Sequence, residues 1–287
     1  MAYLDSIIEC NLHDLGRFLP FVIGETHLGW VRRDMAPMLE EWPDLFAVTE
    51  RAITLSPTLS TPEQRTRALD AIAPRLIEKL GLSRLHGEHY PACRRWGEPA
   101  AMTIDRALVP LFGIPSHGVH VSGYLYREGK LFLWIGRRSM TKSVAPGKLD
   151  NIIAGGQPHD LSIMENLVKE AAEEADMPRA LALTARPVGL ISYAREDNLG
   201  LRPDVMFCFD LEVPPDFTPR NTDGEITDFM LMPVEEVAAL VRDTKDFKLN
   251  VNLVIIDFLV RHGILTPDTE PDYVEIAGGL RQPFPIR

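Results

Sequence analysis

The sequence predicts an α/β protein in two parts. A smaller α+β domain is expected over residues 1–115, then an α/β/α sandwich with a mixed sheet over residues 116–287. Three observations carry the prediction. Up to about residue 112 the pattern is mostly helical with short extended pieces. From His117 it changes to alternating strands. Between those strands lies a helix-period segment, Ser162 to Ala175, with an apolar side and an acidic side.

Phe18 to Trp30 reads as a hairpin turning near Gly24, and Arg33 to Glu41 as a short helix ending before Pro43. Thr61 followed by Pro62 is an N-cap and first-turn signal, and Glu63 to Leu80 keeps helical periodicity until Gly81. A weaker helix is predicted over about Pro99 to Leu108, with Phe112–Pro115 as a connector. His117 to Tyr126 alternates, turns at Glu128-Gly129-Lys130 and returns through Leu131 to Ile135, a hairpin pattern. A loop over Arg137 to Lys148 precedes the apolar run Ile152 to Ala154. Strands follow near Ala185–Tyr193, Val205–Leu211 and Ile226–Met232, then helices Val234–Val241 and Val251–His262.

With 287 residues, 45% apolar and 25% charged, the chain has the composition of an ordinary globular protein of about two domains. Forty-one acidic against thirty basic residues give a net charge of −11. That balance argues against nucleic acid or an anionic membrane as the main partner. An acidic protein that handled an anionic substrate would need cations between the two. Cys10, Cys93 and Cys208 are odd in number and far apart, which excludes a C-x-x-C zinc cage and a disulfide framework and suggests reduced thiols. The most apolar stretch, Asn252 to Val260, is broken by Asp257, and the first residues lack a basic n-region. The compartment expected on these grounds is the cytoplasm.

On the predicted helix, Glu170, Glu173 and Glu174 share one face. Such a face is ordinarily solvated. Its setting changes the reading, because Gly155-Gly156 precedes it at a particular distance. The segment from Gly155 to Met177 resembles the Nudix box: a glycine, five residues, a glutamate, seven residues, then Arg-Glu-apolar-x-Glu-Glu-x-Gly-apolar. Three positions depart from it, with Leu161 in place of the glutamate, Lys169 of the arginine and Asp176 of the glycine. Lysine keeps the charge but loses the bidentate fork, and aspartate adopts the left-handed capping conformation less easily than glycine.

The resemblance extends over nearly the whole chain. It includes Gly118–Tyr124, Pro146–Gly156, Gly200–Val205, Asp223–Glu225, Phe247–Asn250 and Asp257–Gly263. These stretches are similar to a Nudix subgroup typified by the Nudix part of thiamin pyrophosphokinase fusion proteins. Phe18–Trp30 and Trp42-Pro43-Asp44 resemble the small domain that precedes it. The resemblance implies hydrolysis of a diphosphate linkage, with thiamin diphosphate or its oxo and oxy forms cut to the monophosphate. It implies Mg²⁺ or Mn²⁺ held by Glu170, Glu173 and Glu174 with the Gly155 carbonyl, and Glu173, Glu174 and Glu225 as catalytic carboxylates. Arg137, Arg138, Lys142, Lys148 and Arg202 are the candidate cationic rim for the diphosphate. The expected partner is a small-molecule diphosphate, with a homodimer as the assembly to test. Three other readings stand beside this one: hydrolysis of a nucleoside diphosphate derivative such as ADP-ribose, a non-catalytic binding module, and an isoprenoid diphosphate isomerase. The last wants a cysteine acid/base and a histidine-rich site, which Cys208 and two distant histidines match poorly.

Overall fold

The computed structural model describes residues 2–142 and 144–283. Met1, Ser143 and residues 284–287, at the outer ends of the two expected domains and inside the expected 137–148 loop, lie outside the described residues. After a helix α1 (Tyr3–Cys10), the expected hairpin forms from β1 (Phe18–Ile23) and β2 (Thr26–Arg32). Gly24 at its turn has φ +60°, a left-handed conformation that glycine takes without steric cost. The next helix is shorter than expected, α2 (Ala36–Leu39). A helix begun at Arg33 would drive the Pro37 ring into the Arg33 carbonyl. Strands β3 (Phe46–Val48) and β4 (Ile53–Leu55) complete a sheet in the order β2-β1-β4-β3. Helix α3 (Pro62–Lys79) starts where predicted, its capping box closed by Gln64 N–H donating to the Thr61 hydroxyl and Thr61 N–H donating to Gln64 Oε1.

The predicted helix at Pro99–Leu108 does not form. The segment is strand β6 (Met102–Asp105), antiparallel to β5 (His89–Ala92), and α4 (Val109–Phe112) follows. Met102 and Ile104 are buried while Thr103 between them bonds to Thr66 on α3, so the operative period is two.

The second part contains β7 (Ser116–Arg127), β8 (Lys130–Arg138), β9 (Leu149–Asn151), β10 (Ile153–Gly156), α5 (Ile163–Ala175) and α6 (Arg179–Ala182). It continues through β11 (Arg186–Glu196), β12 (Leu201–Glu212), β13 (Ile226–Pro233), α7 (Val234–Asp243), α8 (Leu249–Arg261) and α9 (Tyr273–Gly279). The sheet order is β11-β12-β7-β8-β13, mixed because β12 runs parallel to β7 while its other pairings are antiparallel. Strands β7 and β8 pair only near their turn, between Tyr124–Arg127 and Lys130–Leu133. Beyond that point β10 pairs with β7 and β9 with β8, bringing Gly155 and Gly156 beside Val119 and Gly118.

Helices cover both faces of this sheet, as the predicted sandwich requires. On one face α5 and α6 bury Leu167, Ala171 and Ala182 against Val119, Val121, Ile153 and Leu211. On the other, α7, α8 and α9 cover Leu133, Ile135, Ile191 and Met206. Helix α1 joins this second core although it is first in the chain: Tyr3 and Ile7 pack there, and the Tyr3 hydroxyl donates to the Ala238 carbonyl at 3.1 Å. A separate apolar core, built from β1, β4, α3, β6 and α4, fills the N-terminal part.

Candidate active site

Local sequence fixes both ends of α5. Its first turn is closed by a capping box, with Glu165 N–H donating to Ser162 Oγ and Ser162 N–H donating to a Glu165 carboxylate oxygen. Glu165 is thereby a capping residue. At the other end Asp176 takes the left-handed conformation, φ +51° and ψ +36°. Its N–H and that of Met177 both donate to the Ala171 carbonyl, and the buried Met177 side chain anchors the stop.

Leu167, Ala171 and Ala175 seat the helix on the sheet, which turns Glu170 and Glu174 toward β10. Glu174 is 3% exposed and accepts a 2.8 Å hydrogen bond from Ala154 N–H. Among the described residues it has no ion-pair partner. Burial first, then the Glu170 charge, push its carboxyl well above the usual range, and the Ala154 bond opposes them. Glu170 is also raised by burial, with Lys169 opposing. Its carboxyl group lies directly over Gly155, where a Cβ would come within 2.3 Å of the Glu170 carboxyl carbon. Glu173 is half-exposed and paired at 2.8 Å with Lys169, whose Nζ also lies 3.2 Å from Glu170. Burial works against the Lys169 charge, yet the two glutamates hold its pKa above the ordinary lysine value.

The strand end beneath is shaped for these groups. A Cβ on Gly118 would stand 2.8 Å from the Gly155 carbonyl oxygen, so a glycine there keeps that oxygen clear. At Gly156 the space is filled from the other part of the chain: a Cβ would fall 1.5 Å from the Tyr90 hydroxyl on β5.

The expected cationic rim does not assemble as one group. Arg138 is buried, bonded to Asp150 at 2.8 Å and to the Val144 and Ala145 carbonyls, so it braces β8, β9 and their loop. Lys148 reaches the Lys245 carbonyl on the surface, and Arg202 is held by Asp197. Arg137 is exposed, with one bond to the Gly147 carbonyl. Lys142 is brought to Glu225 as an ion pair. Burial would raise the Glu225 carboxyl, but Lys142, Arg106 and Arg138 bring it below the usual range.

Several residues absent from the sequence-derived set border the site. Lys248, just before α8, lies 4.0 Å from Asp150, and burial lowers its pKa while the Asp150 charge opposes that. Tyr90, Glu88 and Arg106 come from the β5–β6 hairpin, with Arg106 paired to Glu88 at 2.7 Å. His159 N–H donates to the His89 carbonyl, docking that hairpin on the loop before α5. Between them lies a cleft of about 330 Å³, lined by Glu88, His89, His159, Asp160, Leu161 and Lys169. Reading Met102-Thr103-Ile104-Asp105 as alternating was the signal that would have placed Arg106 at a strand end.

The donors gathered at β10, the Glu170 and Glu174 carboxylates and the Gly155 carbonyl, are oxygens, the set a hard divalent cation prefers. Among the described residues no three histidine, cysteine or acidic side chains are grouped so as to hold a metal ion, and Glu173 is turned away to Lys169. Mg²⁺ needs no such group, since it takes one or two carboxylates plus substrate phosphates and water. Glu174, buried with no ion-pair partner among the described residues, and Glu170, folded over a glycine, fit such an ion.

A carboxylate-bearing helix laid across the glycine end of a mixed sheet, inside an α/β/α sandwich, defines a Nudix-type protein. Nudix hydrolase 24, chloroplastic, of Arabidopsis thaliana is 43% identical over 284 residues, which span 98% of this chain and 78% of that protein. Nudix hydrolase 20, chloroplastic, of the same plant is 41% identical over 291 residues, again 98% and 78%. The chain belongs to the Nudix hydrolase family, and it is a hydrolase. Residues 2–116 match a domain of unknown function, DUF4743. Among solved structures, the NUDIX domain of Shewanella oneidensis NrtR, complexed with ADP ribose, aligns with a TM-score of 0.40 at 15% identity, over 54% of this chain and 91% of that one.

The cytoplasmic expectation is overturned by these relatives, both of which are chloroplastic. The composition of a folded body and the state of its thiols carry no organelle address. An address resides in a short segment read by import receptors. Cys208 is buried and pushed up to about 12 by that burial, which suits a packing residue better than an acid/base.

Proposed function

We propose that this chain cleaves the diphosphate of thiamin diphosphate, or of its oxo and oxy forms, to the monophosphate, with residues 116–287 as the catalytic domain and residues 1–115 as its accessory domain. The observation that carries the hydrolytic part is the placement of Glu170 and Glu174 against β10, one over Gly155 and the other on Ala154 N–H. The thiamin part rests on the motif resemblance, from Pro146–Gly156 to Phe247–Asn250.

Glu170 and Glu174, with Glu173 and the Gly155 carbonyl, would hold Mg²⁺ or Mn²⁺. When bound, such an ion offsets the diphosphate charge and acidifies a water. The protein's own groups do the rest. Lys142, Arg137 and Arg106 offer cationic charge to the diphosphate oxygens. Glu173 or Glu225 takes the proton of the attacking water, and E173Q and E225Q variants tell the two apart by which of them loses turnover. A homodimer is the assembly proposed, to be read from sedimentation.

The test is a panel of thiamin, oxythiamin and oxothiamin diphosphates against ADP-ribose, nucleotide sugars and coenzyme A, assayed with Mg²⁺. Thiamin-type diphosphates should lead in kcat/KM. If ADP-ribose or a nucleotide sugar wins by about tenfold, a gap of about 1.4 kcal/mol at the transition state, the thiamin reading fails and the hydrolase reading stands.

A further inference from the structure

The β5–β6 hairpin does not stop at Tyr90. Its connecting loop carries Trp96 across to the central sheet, where the indole lies 4.8 Å from the His117 ring and 5.0 Å from the Phe207 ring, centroid to centroid. His117 and Phe207 stack on each other at 6.0 Å. Trp96 nonetheless remains 47% exposed, so one side of a large aromatic surface is open.

The sheet register locates this cluster relative to the carboxylates. Gly155 is opposite Val119 on β7, and Val119 is opposite Phe207 on β12. Residues directly opposite across a ladder share a face, and His117 lies two residues from Val119 on that same face. The aromatic group therefore sits on the face where Glu170 covers Gly155, two strand spacings away, about 10 Å. That is the scale of a diphosphate and a short linker. His117 is 5% exposed and its Nδ1 has no hydrogen-bond partner among the described residues. Burial lowers its pKa to about 4, so near neutrality it is an uncharged ring with one unanswered polar atom.

We infer that the open face of Trp96, backed by Phe207 and His117, binds a planar heteroaromatic ring attached to the diphosphate, so that the accessory domain selects the substrate while α5 holds the bond to be cut. The inference rests on the diphosphate-hydrolase reading above but not on thiamin. An aromatic ring buried on such a surface gains stacking that a ringless diphosphate lacks.

Calorimetric binding and kcat/KM of the full-length chain with Mg²⁺ test this, using thiamin diphosphate, ADP-ribose and inorganic pyrophosphate as the ringless control. The Trp96→Ala variant should weaken the two aromatic diphosphates at least tenfold and leave pyrophosphate within about twofold. The Trp96→Phe variant should keep them within about threefold, which a general loss of folding would not. Equal losses on all three ligands, no loss at all, or wild-type affinity for pyrophosphate matching that for both aromatic diphosphates would each overturn it. If thiamin diphosphate is not hydrolysed but another aromatic diphosphate shows the tryptophan dependence, only the thiamin reading fails. If thiamin diphosphate is cut equally well by Trp96→Ala, only this inference fails.

Discussion

Two regions meet at Gly156, where the Tyr90 hydroxyl of the β5–β6 hairpin lies against β10, and they are built on different principles. On one side, α5 and β10 present Glu170 and Glu174 from continuous secondary structure, locked by a capping box, a left-handed stop and a ladder to β7. On the other, the β5–β6 hairpin presents Glu88, Tyr90, Trp96 and Arg106 from a two-stranded sheet in a separately packed core. Chemistry that must place charge on one phosphorus favours the rigid side. On the reading proposed above, recognition of whatever lies beyond the diphosphate would fall to the side whose residues are set by a loop and a turn.

A pair of arginines gives the largest expected contrast. Arg138→Ala on the sheet side leaves Asp150 buried with its guanidinium partner gone, and should cost about 3–5 kcal/mol in denaturant unfolding. Arg106→Ala on the hairpin side removes a partly exposed pair with Glu88, a stability loss of about 1 kcal/mol or less, yet should reduce kcat/KM. If both variants unfold alike, the contrast between a bracing arginine and a hairpin arginine is wrong.

Glu174→Gln should lower turnover about a hundredfold or more while leaving the Ala154 hydrogen bond in place. Retained activity, or activity that survives EDTA, would remove the rigid side's claim to the chemistry.

The two regions touch at Gly156, and that contact is separable. Gly156→Ala must displace the Tyr90 hydroxyl and should cost about 1–3 kcal/mol. Combining it with Tyr90→Ala should recover part of that loss, as a double-mutant cycle reads directly. Additive losses would mean that the hairpin does not press on β10.

The smallest expected effect concerns stability without metal. The folded-state pKa of Glu174 lies above the usual 4.5, so between those values the folded chain binds the extra proton. Stability from this group is fully present below about pH 4.5 and declines as pH rises toward the folded pKa. In EDTA near neutrality, Glu174→Gln should therefore melt higher than wild type, by roughly 2–4 °C per kcal/mol relieved. Mg²⁺ should raise the wild-type melting temperature and leave the variant nearly unchanged. A variant that melts lower in EDTA would contradict the uncompensated burial of Glu174.

The sequence by itself determined the α/β/α sandwich, the hairpin at Gly24, the capped helix at Thr61 and the acidic helix with Gly155 before it. These depend on periodicity, caps and turn residues that act over three or four positions. The strand at Met102–Asp105 was not legible as such, because four residues of alternation are too short to outweigh helix-compatible neighbours. Nor did residue type separate Arg138 from Arg137, adjacent on one strand, the first bracing Asp150 and the second in solvent. Only tertiary structure decided that Gly155 accommodates Glu170, that Gly156 accommodates Tyr90, and that Trp96 lies over His117 and Phe207. The Tyr90 and Trp96 contacts join different elements well separated along the chain. Their geometry is set by how two cores dock, for which a linear pattern holds no local signal.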